Sequence, residues 1–295
     1  PNALNSIEKH IKPGVIVSLT RIEPPLHPEG PEKVLWHGGV EPDEFKEQEL
    51  LDKLKEFTNE EKITYGIFAP WAFYRKDFQE IGGHDPLYAP QSKEDSDIFN
   101  RFQLNGIKFI QTWEGFVYHM TCRGSRRNTL DKAKNIYEDS PEWLAQNQRS
   151  TRNFIRKWGH FVMHSPTLVP IVPPKYDIGF IVKNCNSQLL TALEPWCSTI
   201  YIDDDMDVLT TDYINKEQKN TDYLLKYKIR PFDNEKMNEI LVEIDGHTFN
   251  QSDFVNIQRL SQIIESSGEI GKFELENLSI EIIQINEYTK DLIKL

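Results

Sequence analysis

Residues 66–127 contain the sequence signals that are most informative about the fold. They read GIFAPWAFYRKDFQEIGGHDPLYAPQSKEDSDIFNRFQLNGIKFIQTWEGFVYHMTCRGSRR. A Gly-Gly turn at residues 82–83 precedes a cluster of acidic residues that opens an amphipathic segment. Residues 108–119 are mostly apolar and end at a histidine, and the sequence of residues 121–127 predicts a basic loop. This succession of turn, helix, strands and loop predicts an α/β arrangement.

The boundaries within this stretch follow from local signals. Ser92 and Asp95 have the spacing of a capping box, in which a serine side chain caps the helix and an acid three residues later reaches back to it. Residues 98, 99 and 102 then give the helix an apolar face. Two apolar runs, residues 108–113 and 116–119, predict two strands joined by a turn.

Proline spacing predicts the domain organisation. Residues 164–174 hold four prolines, which indicates a linker. Residues 1–163 are predicted to form a partial mixed sheet with flanking helices, whose last long helix starts at Ser140 and Pro141. Residues 175–295 alternate strands with helices, which predicts a smaller α/β domain with a largely parallel sheet.

Composition narrows the possible partners and the compartment. The net charge of -12 argues against binding to nucleic acid or to an anionic membrane surface. No apolar run approaches the roughly 20 residues that span a bilayer, and no signal peptide is visible. The three cysteines form no C-x-x-C pair, which fits a reducing cytosol and offers no zinc site. A cytoplasmic protein without a transmembrane segment is therefore expected.

The acidic cluster and the histidine each allow two interpretations. Glu94, Asp95 and Asp97 lie at a helix start, where carboxylates stabilise the helix dipole by roughly 0.3–1 kcal/mol each. One of them is alternatively a general base that removes a proton from an attacking hydroxyl. His119 at the end of a strand is either structural or a metal ligand.

The basic loop is the third feature. In an acidic protein it is a local positive patch that suits a diphosphate, because arginine can bind phosphate oxygens bidentately. An ordinary solvated loop is the alternative. Its candidate diphosphate-binding residues are Arg123, Ser125 and Arg126.

Together these pieces resemble the second half of the catalytic domain of glycosyltransferase family 2, which has the GT-A fold. The resemblance rests on the order and spacing of Gly82-Gly83-His84-Asp85, of Glu94-Asp95 with Asp97, and of Val117-Tyr118-His119 with Gly124 and Ser125. It covers roughly residues 1–130 and does not extend to residues 175–295.

The resemblance implies metal-dependent transfer of a sugar, with inversion, from a nucleotide-sugar donor to a hydroxyl of a glycan or other acceptor. Asp95 would be the base, with Glu94 or Asp97 as second choice. His119 would help to hold Mn²⁺ or Mg²⁺ or the diphosphate, and Arg123, Ser125 and Arg126 would close over the phosphates. The acceptor side would include Trp71, Tyr74, Gly83, His84 and Asp85, although Trp71 and Tyr74 could equally pack in the core.

One departure from the family pattern is the position of the donor half, which comes first in the family. We expect the sequence to be a fragment that lacks this half, and inactivity of the fragment alone is one expected consequence. A processed mature chain is the alternative. Asp203 and Asp205 resemble the family's Asp-x-Asp metal motif but lie after the linker, where a solvated acidic turn is the other interpretation.

Two rival functions remain open from the sequence. The first is a non-catalytic carbohydrate- or protein-binding module on a transferase-like scaffold. The second places the activity in residues 175–295 as a nucleotide-binding α/β unit. The lack of a glycine-rich phosphate loop argues against this second function. The sequence leaves open the donor sugar, the acceptor, the linkage, the oligomeric state and the role of residues 175–295.

Overall fold

The computed structural model describes residues 2–26, 28–120, 139–203 and 207–294 as an α/β protein with two mixed sheets, which confirms the predicted class. Within these ranges, no helix combines the length and the apolar character needed to cross a membrane. The elements that precede residue 160 are α1 (Ala3–His10), β1 (Val15–Glu23), β2 (Lys33–Leu35), α2 (Glu47–Phe57), β3 (Ile63–Thr64), β4 (Trp71–Ala72), α3 (Arg75–Glu80), α4 (Glu94–Leu104), β5 (Lys108–Tyr118) and α5 (Pro141–Trp158).

The remaining elements build the second sheet and its helices. They are β6 (Ile178–Lys183), α6 (Ser187–Leu193), β7 (Thr199–Ile202), α7 (Asp207–Glu217), α8 (Leu225–Lys228), β8 (Ile229–Pro231), β9 (Ile240–Asp245), α9 (Gln251–Gln258), α10 (Leu260–Ser267), β10 (Gly271–Leu275) and β11 (Leu278–Ile282). Short 3-10 helices lie at Pro42–Glu44, Pro86–Tyr88, Glu194–Trp196, Gln218–Asn220 and Thr289–Leu292.

The first sheet is organised around β1, which is buried along its whole length. β1 pairs in parallel with β5 on one side, and on the other side with β2 in parallel and β4 in antiparallel orientation. The short β3 pairs with the far edge of β5. The β-branched sequence of β1 suits a strand that is buried on both faces. Helix α4 packs on this sheet through Ile98 and Phe102, whose side chains are fully buried.

The prediction of two strands within residues 108–119 is wrong, because these residues form the single strand β5. The register against β1 shifts between Leu19 and Thr20, which pair with Thr112 and Phe116, so that three residues bulge out of the ladder. Gly115 lies in this bulge against α1, where a Cβ atom would come within 2.2 Å of Ser6 Oγ. The glycine marks a close contact between a helix and a strand and not a turn.

The second sheet has the strand order β10-β11-β9-β6-β7-β8. The four strands β9, β6, β7 and β8 are parallel, as the alternation of strands and helices predicted, while β11 and β10 add an antiparallel edge. The chain proceeds from β6 through β7 to β8 in one direction and then returns to place β9 on the other side of β6. The order of strands therefore reverses between β6 and β9.

Helix α5 is hydrogen-bonded to residues from both halves of the protein. Its predicted start is confirmed, since Ser140 Oγ accepts a hydrogen bond from the Trp143 backbone N–H. Near its end the buried Arg156 donates to Glu194, which belongs to the second sheet's layer of helices. The next residue, Lys157, donates to Asp85 on the side of the first sheet. Consecutive side chains of one helix thus join the two halves of the protein.

Residues 164–174, predicted as a linker, pack against the first half of the chain. The Ile67 backbone N–H donates to Leu168 O, and Thr167 Oγ1 donates to Tyr65 O at 2.8 Å. At Gly66 a Cβ atom would lie 1.6 Å from Thr167 O, so only glycine permits this close contact. The segment therefore forms a fixed wall beside the first sheet.

The buried carboxylate of Glu194 gives a test of this arrangement. Burial raises the pKa of Glu194, but Lys228 and Arg156 outweigh it and hold the pKa well below its ordinary value. Its contribution to stability is therefore present above the ordinary pKa of a glutamate and lost as the pH falls. At pH 7 we expect Glu194→Gln to lower the free energy of unfolding by about 3–5 kcal/mol, since it leaves buried cations without their anion.

Urea denaturation followed by circular dichroism measures this difference. The matched control is Glu243→Gln, because Glu243 pairs with Lys183 at 3.5 Å with both side chains about half exposed. This control should change the free energy of unfolding by less than about 1 kcal/mol. Equal effects of the two substitutions would contradict the role assigned to Glu194.

Candidate functional site

The start of helix α4 is built by backbone geometry and by contacts with α5. Ser92 and Lys93 both adopt left-handed conformations, with φ of 76° and 72°. The capping-box prediction is wrong: α4 has no side-chain cap, and Ser92 Oγ instead donates to Asn147 Oδ1 on α5 at 2.7 Å. Lys93 Nζ donates to the same oxygen at 2.8 Å. This contact between α4 and α5 fixes the position of the acidic turn that follows.

The acidic turn opens into a cleft of about 330 Å³. One wall is α4 with the residues just before it, where the polar side chains lie. The opposite wall is mostly apolar and comes partly from the segment predicted as a linker. The side chains that line the cleft include Ile67, Phe68, Phe99, Val162, Met163 and Leu168, and on the polar side residues 92–96 together with Asn100 and His164.

Glu94 and Asp95 are the carboxylates among the described residues that line this cleft. Burial raises the pKa of Glu94, with a further upward contribution from the charge of Asp95. Burial also raises the pKa of Asp95, while the nearby His84 opposes the rise. Asp95 lies at the mouth, where more than a third of its surface is open to water. Because this side stays hydrated, the desolvation of Asp95 is partial, and we expect the group to be ionised at neutral pH.

Asp97, the third acid of the turn, lies in the core and not in the cleft. Its side chain is fully buried and pairs with Arg101 Nε at 2.8 Å and with Lys157 Nζ at 2.7 Å. Tyr88 and Trp158 donate two further hydrogen bonds to Oδ1. This carboxylate has its lone pairs engaged by the protein, and its position suits the anchoring of α4 to α5.

The glycine turn before α4 has the geometry that its sequence predicted, since Gly82 and Gly83 have φ of 83° and 81°. The Gly83 carbonyl accepts a hydrogen bond from Arg101 Nη2. His84 packs edge-on against Phe78, with ring centroids 5.5 Å apart. Asp85 accepts from the Leu87 backbone N–H and pairs with Lys157 Nζ at 2.8 Å. Of these predicted acceptor residues, His84 acts electrostatically on both cleft carboxylates.

The two aromatic candidates lie outside the lining of this cleft. Trp71 packs into the core of the first sheet, with its ring 4.9 Å from Phe73 and 5.3 Å edge-on from Phe99. Tyr74 precedes α3 and exposes 43% of its surface. The structure thus gives Trp71 the packing position that the sequence left open for it.

His119 joins a buried charge cluster at the end of β1. Its Nδ1 binds Glu23 Oε1 at 2.8 Å, and Glu23 also pairs with Arg21 at 2.7 Å and with Lys33 at 3.1 Å. Burial raises the pKa of Glu23, but His119 and the two cations lower it to about 2. Since Glu23 occupies Nδ1, any metal bond from His119 would use Nε2. A carboxylate that orients a histidine in this way is typical of metal-binding histidines.

A cation-π contact links this cluster to the cleft. The Arg21 guanidinium lies 3.6 Å from the centroid of the Phe68 ring, and Phe68 lines the cleft. The sequence interpretation missed Arg21, Glu23 and Phe68. The available signal was an arginine and a glutamate, two residues apart, at the end of a strand that is mostly apolar. Buried charges in such a strand require partners.

The remaining predicted site residues lie outside the described ranges. This holds for Arg123, Ser125 and Arg126 of the basic loop, and for Asp205. Asp203 is described, and its Oδ2 accepts a hydrogen bond from the Asn184 backbone N–H at 2.8 Å. Among the described residues, no group of three or more His, Cys, Asp and Glu side chains is placed to hold a metal ion. The metal prediction therefore stays a prediction.

Comparison with known proteins found no matching family model, no matching curated protein and no matching solved structure.

The contrast between Asp95 and Asp97 can be measured. Asp97→Asn removes the anion that neutralises Arg101 and Lys157 in the core, so we expect the free energy of unfolding to fall by about 3–5 kcal/mol. Asp95→Asn removes a partly desolvated charge whose contribution to stability is its interaction with the helix dipole. We therefore expect the free energy of unfolding to change by less than about 1 kcal/mol. Thermal and urea unfolding at pH 7 compare the two. A large loss in Asp95→Asn would show that Asp95 is structural.

Proposed function

We propose that the chain contains the acceptor-binding half of a metal-dependent, inverting glycosyltransferase with a GT-A-like fold. The observation that carries the proposal is a pair of carboxylates with raised pKa, Glu94 and Asp95, that line a cleft with one polar and one apolar wall. Perturbed carboxylates in a cleft are typical of functional sites. Sugars present both hydroxyl groups and apolar C–H faces, which suit such walls.

The mechanism assigns the base role to Asp95. The ionised carboxylate accepts the proton of an acceptor hydroxyl, whose oxygen forms a bond to the anomeric carbon of the donor. The bond from that carbon to the diphosphate oxygen breaks, and the nucleoside diphosphate leaves with the electron pair, so the configuration inverts. Glu94, beside Asp95, disfavours a second negative charge and so raises the proton affinity of the pair.

The family resemblance also implies a divalent metal ion, and His119 is the described residue that fits it. Its Nδ1 is held by Glu23, which leaves Nε2 as the ligand atom and keeps the ring oriented. When bound, the ion would neutralise the charge that develops on the leaving diphosphate. A non-catalytic glycan-binding module would use the same cleft but would have no use for a base.

Replacing the proposed base separates these two functions. In the full-length protein that contains these residues, we expect Asp95→Asn to lower the rate of transfer by about 10²–10⁴-fold, because proton abstraction is lost. Donor binding should persist. In the wild type the rate should rise with pH through the raised pKa of Asp95, since only the ionised carboxylate accepts a proton.

Release of nucleoside diphosphate from UDP- and GDP-sugars in the presence of Mn²⁺ and simple glycosides measures the rate. Asp52→Asn, an exposed aspartate on α2, is the matched control and should leave it unchanged. Full activity in Asp95→Asn would reject Asp95 as the base. Absence of donor binding in the wild type would reject the transferase.

One observation favours a second candidate, a nucleotide-binding function of the second sheet. The carboxyl ends of β6, β7 and β9 meet where the strand order reverses, and ligands of open α/β sheets bind in the crevice at this place. There the Asn184 backbone N–H donates to Asp203, and the Asn184 side chain donates to Asp245 Oδ1 at 2.9 Å. Gly246 allows the close approach, since a Cβ atom would lie 2.3 Å from Asn184 O.

One calorimetric titration decides between the two locations. If His119 binds the metal that holds the donor, His119→Ala should weaken Mn²⁺-dependent binding of a UDP- or GDP-sugar by about 10–100-fold, while Asp245→Asn leaves it unchanged. The reverse pattern would support the second sheet as the nucleotide site. An unchanged response of His119→Ala to Mn²⁺ would remove His119 from the metal site.

A further inference from the structure

The polar wall of the cleft contains an amide N–H donor that no described residue of the protein satisfies. Asn100 lies on α4, one turn beyond Ser96, and only 4% of its surface is exposed. Its Nδ2 is buried and, among the described residues, has no hydrogen-bond partner. The same side chain lines the cleft. A buried donor without a partner costs about 1–3 kcal/mol, which is a cost that a bound ligand can remove.

A second unsatisfied atom lies on the same wall. Glu94 Oε2 is buried and, in the described part of the chain, has no hydrogen-bond partner. Among its described residues, the cleft therefore offers an unused donor on Asn100 and an unused acceptor on Glu94. Hydroxyl groups both donate and accept hydrogen bonds, so a polyhydroxylated molecule can satisfy both.

The helix sets the distance between the reacting position and the amide. Asp95 and Asn100 are five residues apart, which corresponds to a rise of roughly 7.5 Å along the helix axis. The oxygen that binds Asn100 is therefore a different one from the hydroxyl that meets Asp95. Phe99 lies between them on the same helix and, with Met163 and Leu168, provides apolar surface for the body of the sugar.

The charges in the cleft determine which acceptors fit. Glu94 and Asp95 give the described lining two carboxylates against one lysine, Lys93, so the negative charges are in excess. A phosphate or carboxylate on the acceptor would be repelled by the two acids. The cleft therefore favours an uncharged sugar.

From these contacts we propose that Asn100 is a specificity-determining residue, which donates a hydrogen bond from Nδ2 to an oxygen of a neutral carbohydrate acceptor. The proposal rests on the proposed function for the location of the reacting hydroxyl. It extends that function by assigning the acceptor to the uncharged sugars and by naming the residue that selects it.

The test is a substitution that removes the amide but keeps the shape. Asn100→Leu should bind neutral glycans about tenfold more weakly, since a hydrogen bond to the ligand is lost. Its thermal unfolding temperature should be equal to or above that of the wild type, because an unsatisfied buried polar group has been removed. Asn100→Asp should also lose binding, since a carboxylate cannot donate.

The matched control is Asn256→Leu. Asn256 on α9 also carries a buried Nδ2 without a partner among the described residues, but it lies outside the cleft lining. This variant should show the same change in unfolding temperature and no change in glycan binding. If Asn100→Leu lost binding because it failed to fold, its melting curve would show this. In that case binding is compared in Asn100→Asp and Asn100→Gln, which change the structure less.

Binding is measured on the full-length protein with an array of neutral, sialylated, uronic-acid-containing and phosphorylated glycans, and then by saturation-transfer NMR with the glycans that bind. Preference for neutral glycans together with the loss in Asn100→Leu is the expected result. Preference for anionic glycans, unchanged binding in Asn100→Leu, or no glycan bound by the wild type would each overturn the inference. The first two outcomes leave the proposed transferase standing, because donor binding and the Asp95→Asn rate are measured separately.

Discussion

The structure depends on the pairing of the buried cations at the end of α5. Arg156 and Lys157 are adjacent in sequence, point to different halves of the protein and are both buried. A buried charge is tolerated only when it is paired, so each cation requires its carboxylate, Glu194 for the first and Asp97 for the second. These two requirements fix α5 against both sheets and bring α4 to a defined position beside α5.

The candidate site follows from this constraint. Asp97 is turned inward to Lys157, and Asp95, two residues earlier, therefore faces nearly the opposite way, since two residues correspond to a rotation of about 200°. The same packing places residues 162–170 opposite α4 and closes the cleft. The polar groups of this region differ in their partners. The Asp97 carboxylate has four, whereas Glu94 Oε2 and Asn100 Nδ2 have none among the described residues.

A second charge cluster, around Glu23, organises the other side of the cleft. It orients His119 and, through the stacking of Arg21 on Phe68, contacts the cleft lining. The proposed catalytic and metal functions are thus supported from different strands and helices, and the rigidity of each depends on buried charge pairs. Beyond them, the crevice at the carboxyl ends of β6, β7 and β9 offers a place for a nucleotide on the second sheet.

Features that depend on local physics were predictable from the sequence. They are the α/β class, the positive φ of the Gly82-Gly83 turn, the cap at Ser140 and the apolar face of α4. It could place Asp95 and Asp97 in one helical turn, but their roles depend on where Lys157 arrives from sixty residues away. Likewise the strand bulge at Gly115 depends on the approach of α1. The predicted capping box does not form where Ser92 binds Asn147 instead. These features depend on long-range packing, because the burial and pairing of a polar group are set by neighbours that are distant in the chain.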